Sequence, residues 1–205
     1  MNLKNHFKTK KDTFRMKHTE ANLTEYMQEQ IIAWLPNYPR EYVVVCVGTD
    51  RSTGDSLGPL TGSYLTESRP KHLTVYGTLQ DPVHATNLHD YIKLIKTQHQ
   101  DPFIIAVDAC LGRTDSVGCI IANKGALKPG AALKKPLPEI GDIHLTGVVN
   151  ISGFMEYSVL QNTRLSIVVE LSKKLATILD AIDKQLTYKN ITPAVVLPHI
   201  KEKSI

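Results

Sequence analysis

The sequence predicts an α/β fold, a single three-layer domain whose twisted, mostly parallel sheet carries helices on both faces. Three observations predict it. Two apolar runs, Tyr42 to Val47 and Phe103 to Val107, lack polar alternation, which is the pattern of strands covered on each face. Strand-type and helix-type segments alternate along the chain, as in βαβ units. The 205 residues, 42% hydrophobic and 21% charged, suit one domain with a full core.

Taken in order, Thr19 to Trp34 carries Leu23, Met27, Ile31 and Trp34 at near-helical spacing and predicts an amphipathic helix, stopped by Pro36 and Pro39. The first strand, Tyr42 to Val47, leads into a loop, Gly48 to Gly54. Asp55 is then expected as the N-cap of a helix reaching about Glu67, with Pro59 tolerated in the first turn, where backbone amides have no helical acceptor. A strand at Leu73 to Thr78, a helix at His84 to Thr97 and the buried strand Phe103 to Val107 follow. Val117 to Asn123 reads as a further strand, the sheet being expected to hold one of mixed direction. The Gly- and Pro-containing stretch from Lys124 to Gly141 reads as a long surface loop. Ile151 to Asn162 is expected to be helical, Leu165 to Glu170 a last strand, and Ser172 to Leu186 an amphipathic helix.

Residues 1–18 read as a flexible basic arm, 19–190 as the domain and 191–205 as a C-terminal tail. The three cysteines, Cys46, Cys110 and Cys119, have no C-x-x-C or zinc spacing, which favours a reducing, cytosolic compartment. The polar, basic N-terminus lacks an apolar signal core, and no stretch approaches a membrane span, so no membrane partner is expected. The net charge of +4 comes largely from the arm and from Lys124, Lys128, Lys134 and Lys135, without interleaved aromatics. That pattern favours a solvated basic surface over a nucleic-acid site.

Both apolar strands run into carboxylates, Asp55 beyond the first and Asp108 directly behind Val107. In an open α/β sheet, ligands bind outside the carboxyl ends of the strands. Two aspartates there can share a proton or hold a water between them, one as base and one as acid. The plain alternatives are a helix cap for Asp55 and a strand-ending turn for Asp108. Gly48, Asp50 and Gly54 shape the intervening loop. That loop has neither the G-K-[S/T] ending of a P-loop nor G-x-G-x-x-G spacing, so a nucleotide site is disfavoured. His144 is a candidate third site group or metal ligand, or a surface residue. Cys110 reads as a buried thiol rather than a nucleophile, and His84, His89 and Glu156 as structural or surface groups on helices.

Val45 to Pro59, with Ile105 to Ala109, resembles the germination protease of spore formers and, more distantly, the hydrogenase maturation endopeptidases; the whole chain resembles a family of sporulation proteins of endospore-forming bacteria. Thr53-Gly-Asp-Ser-Leu-Gly-Pro59 is similar to the T-P-D-A-L-G-P stretch of the germination protease, and Val107-Asp-Ala109 to its I-D-A stretch. The resemblance implies that Asp55 and Asp108 are a catalytic pair for peptide cleavage in sporulation or germination, in the cytoplasm, forespore or spore core. Its implied substrates are proteins or peptides, small acid-soluble spore proteins among them. No cofactor is required, although the maturation enzymes bind the nickel of their substrate at corresponding acidic positions and a later histidine, which would make Asp55, Asp108 and His144 a divalent-metal set. Thr49-Asp50-Arg51 departs from the turn of these relatives. The alternative is a catalytically inactive spore protein that keeps the fold as a polypeptide-binding module.

Overall fold

The computed structural model describes residues 12–38, 40–130 and 137–186. Six strands form one sheet in the order β1-β5-β6-β4-β2-β3. These are β1 (Thr13–Lys17), β2 (Tyr42–Cys46), β3 (Leu73–Tyr76), β4 (Phe103–Gly112), β5 (Cys119–Lys124) and β6 (Ile143–Ile151). β2 runs parallel to β3 and β4, and β4 parallel to β6, while β5 pairs antiparallel with both β6 and β1. β5 is therefore the one reversed strand.

Alternation along β2 divides the core. Val44 and Cys46 join the face covered by α1 (Leu23–Ile32), α2 (Leu57–Glu67) and α5 (Leu165–Gln185), and Val43 and Val45 join the face covered by α3 (Leu88–Gln98). The apolar stripe of α5, Leu171, Leu175, Ile178 and Ile182, is wholly buried. At about 1.5–3 kcal/mol for each large apolar side chain, such burial is the main force holding the layers together. α2 presents glycines to the backbone of the sheet and so approaches it closely. A Cβ on Gly62 would meet the carbonyl oxygen of Gly77 at 2.0 Å. At the far end of the sheet, buried Asp183 of α5 accepts hydrogen bonds from the amides of Lys71, His72 and Leu73 at 2.7–3.0 Å and so fixes the entry into β3.

Several expectations are corrected. The arm expected over 1–18 includes a strand: Thr13–Lys17 adds to the sheet edge as β1, because its alternation buries Phe14, which stacks on Trp34 with ring centroids 5.2 Å apart. Residues 1–11 and the tail expected at 191–205 lie outside the described residues. Leu165 to Glu170 is the first part of α5 rather than a strand, since Val168 continues the helical stripe of Leu171 and Leu175. The strand in that part of the sheet is β6, in the segment holding His144, and the helix expected from Ile151 shrinks to α4 (Glu156–Gln161). α2 begins after Ser56, so Asp55 is not its N-cap.

Candidate active site

The site forms where β2 stops short. β2 pairs with β4 as far as Cys46 opposite Val107, whereas β4 continues beside β6 to Gly112 opposite Ile151. Asp108 is thus not the end of its strand, as expected, but the first β4 residue beyond that pairing. Its side chain takes the same face as Ala106, by strand alternation.

The chain leaving β2 bonds across to the α3 side, Gly48 N–H donating to Val83 O at 2.8 Å, and then turns back on itself. The turn needs a glycine: Gly48 has φ +149°, and a Cβ there would meet the carbonyl oxygen of Asp55 at 2.0 Å. Gly54 docks the other end of the loop on α4, its N–H donating to Leu160 O at 2.9 Å. Asp55 follows the second anchor directly, and its carbonyl oxygen accepts from Thr49 N–H at 3.3 Å, which closes the loop.

Asp55 and Asp108 line one cleft of about 690 Å³. Its polar wall includes Thr49, Ser52, His84, Thr146 and Glu156, and its apolar wall Leu111, Leu127, Leu137 and Leu160. Burial pushes the Asp108 carboxyl up to about 8; the amide of Ala109, donating to its Oδ1 at 2.8 Å, works against the rise, and the negative charge of Asp55 adds to it. Burial also raises Asp55, opposed by the nearby Ser52 hydroxyl. That hydroxyl is buried without a well-formed hydrogen bond among the described residues. Near neutral pH the cleft therefore presents a protonated Asp108 beside a second carboxyl, an acid paired with a candidate base. Cys110, pushed up to about 11 chiefly by burial, stays a neutral thiol.

The remaining sequence candidates divide. His144 sits on β6 opposite Ala106, its Nδ1 2.8 Å from Gly125 O, and it does not line the cleft. Asp50 is exposed and also outside the cleft. Among the described residues no three His, Cys, Asp or Glu side chains are grouped to hold a metal ion, so Asp55, Asp108 and His144 do not fit the expected metal set. Two residues read as structural or surface groups, His84 and Glu156, do line the cleft. His84 precedes α3 instead of lying within it, with Nδ1 2.9 Å from Thr86 Oγ1. What keeps His84 off the helix is Val83 bridging to Val47 and Asn87 Oδ1 accepting from His84 N–H at 2.8 Å, the first of these a contact distant in sequence.

The fold and site together define a three-layer α/β domain with a carboxylate pair at the carboxyl edge of a parallel sheet. Residues 15–178 match the family described as a protein of unknown function, DUF1256, and the chain belongs to that family. It is similar to the uncharacterized protein YyaC of Bacillus subtilis (strain 168), at 52% identity over 168 residues that cover 82% of each chain. Among solved structures it is similar to the [NiFe] hydrogenase maturation protease HycI of Thermococcus kodakarensis KOD1. That likeness has a TM-score of 0.46 and 15% identity, covering 71% of this chain and 94% of the other.

Proposed function

We propose that the protein is an endopeptidase of sporulation or spore germination that hydrolyses a peptide bond with Asp55 and Asp108. The observation that carries this reading is the presence of both carboxyls in one cleft, with Asp108 raised to about 8 chiefly by burial and further by the charge of Asp55. Ionised Asp55 takes a proton from water as the water oxygen bonds to the scissile carbonyl carbon, and Asp108 gives its proton to the carbonyl oxygen. In the second half, Asp55 passes its proton to the leaving amide nitrogen, the C–N bond breaks, and Asp108 recovers a proton from the gem-diol. No step is routed through a metal.

The resemblance of Thr53 to Pro59 to the germination protease supports the spore context and makes small acid-soluble spore proteins the first substrates to test. Incubation of these proteins with the purified enzyme should give cleavage that Asp55→Asn and Asp108→Asn abolish. Persistence of cleavage in both variants would reject the aspartate pair. A second reading, a non-catalytic polypeptide-binding module, is favoured by the apolar surface beside the cleft. There Phe154, Met155 and Tyr157 are 99%, 77% and 54% exposed. Binding without cleavage in the same assay would select it.

A further inference from the structure

We infer that the cleft takes its polypeptide as an added β-strand, paired edge-on with Ala109 and Leu111 of β4 in the place that β2 leaves vacant. This rests on the peptidase reading and specifies how the substrate is held.

The polarity of the β4 backbone carries the inference. Phe103 N–H donates to Glu41 O and Val107 O accepts from Val47 N–H, so the odd-numbered residues of β4 turn their backbone groups toward β2. The even-numbered residues turn theirs toward β6 and its flanks: Ile104 O accepts from Asp142 N–H, and Gly112 O from Ser152 N–H. The β4–β6 register slips between Cys110 and Leu111, where β6 carries the extra Val149, yet Gly112 O still bonds to β6, so the alternation holds along β4 and Ala109 and Leu111 aim their amides and carbonyls at the β2 side. β2 has ended there. A continued ladder would bring Val47 O to Ala109 N–H, but Val47 O lies against Gly58 instead, where a Cβ would meet it at 1.9 Å. Ala109 N–H turns to its neighbour's carboxylate, donating to Asp108 Oδ1 at 2.8 Å. Among the described residues, no element occupies the ladder position beside Leu111.

An unpaired strand edge inside a cleft is a template for an extended peptide, whose backbone supplies the complementary carbonyls and amides. The walls suit alternating side chains: Leu160 packs with the α2 and α5 side of the sheet, and Leu127 and Leu137 with the α3 side. A strand placed here runs past Asp108 at the point where the edge begins. A carbonyl of that strand would compete with Asp108 Oδ1 for the Ala109 amide, so docking and the freeing of the acid are coupled. The recognised chemistry is an extended polypeptide segment read mainly through its backbone, in a cleft whose rim also carries Arg51, Lys128 and Glu156.

The test is amide hydrogen exchange by NMR on ¹⁵N-labelled full-length Asp55→Asn protein. Its probe is reduced, carboxamidomethylated ribonuclease A, a permanently unfolded chain. Saturation should slow exchange of the Leu111 amide at least tenfold while leaving that of Cys110, which faces β6, unchanged. Saturable binding that leaves Leu111 exchange unaltered, or no binding at about 1 mM probe, overturns the inference. Cleavage of a spore protein by the wild type without Leu111 protection sinks the added strand and spares the peptidase. Leu111 protection with no cleavage by the wild type does the opposite.

Discussion

The Cα of Gly58 rests against the carbonyl of Val47, so close that a Cβ would stand 1.9 Å from its oxygen. This contact sets the first turn of α2 against the end of β2 and thereby places Asp55. Gly58→Ala must push helix and strand apart, which should cost about 2–3 kcal/mol. In urea denaturation that is a clear shift of the midpoint, whereas Gly153→Ala, with nothing within 4 Å of its added Cβ, should leave the midpoint in place. Equal effects at the two sites would show that the close approach is not what Gly58 provides.

The raised Asp108 carboxyl makes stability depend on pH. Its folded value of about 8 exceeds the ordinary 3.8, so the folded state binds the extra proton between those values. The stabilisation from neutral Asp108 is complete below pH of about 4 and is lost as pH rises through about 8, each unit being worth about 1.4 kcal/mol. Asp108→Asn, which keeps a neutral side chain, should raise the melting temperature more at pH 8 than at pH 5. An increment that does not grow with pH would mean that Asp108 is ionised throughout. For the wild type, peptidase activity should decline above about pH 8 as the acid is lost.

His84 lines the cleft and His144 does not. His84→Ala should lower kcat/KM about tenfold through misplacement of substrate. His144→Ala should stay within about threefold of wild type. The reverse ranking in steady-state kinetics would restore His144 to the site.

Asp183 gathers three backbone amides at the start of β3. Asp183→Ala leaves them without that acceptor, and a loss of about 3 kcal/mol is expected from buried donors deprived of a charged partner. Thermal unfolding checks this: at roughly 2–4 °C per kcal/mol, the midpoint should fall by about 6–12 °C. A fall of less than about 2 °C would mean that water replaces the carboxylate.

The apolar runs of β2 and β4 made the parallel sheet legible, because strands buried on both faces leave an uninterrupted hydrophobic signature. The same runs pointed to Asp55 and Asp108, which the fold brings into one cleft. What escaped was decided by partners distant in sequence. Thr13–Lys17 offers only two apolar positions, and its strand exists because Ile120 and Ala122 of β5 and the ring of Trp34 receive them. Leu165 to Glu170 is rich in β-branched residues, yet the stripe completed by Leu171 and Leu175 overrides that local preference. The β6 segment, Ile143–Ile151, carries too weak a local strand signal to place His144 on a strand, and so to fix which way it faces. Its strand register opposite Ala106 holds it two residues behind Thr146, the partner of Asp108.

The pairing of β1 with β5 bears on the order in which the molecule is made. Thr13 meets Asn123, and Lys17 meets Cys119. On a ribosome β1 must wait through roughly a hundred residues of synthesis, on the order of 5–20 s, before its partner exists. Throughout that interval Phe14 has no sheet to join, and the nascent segment stays open to a chaperone.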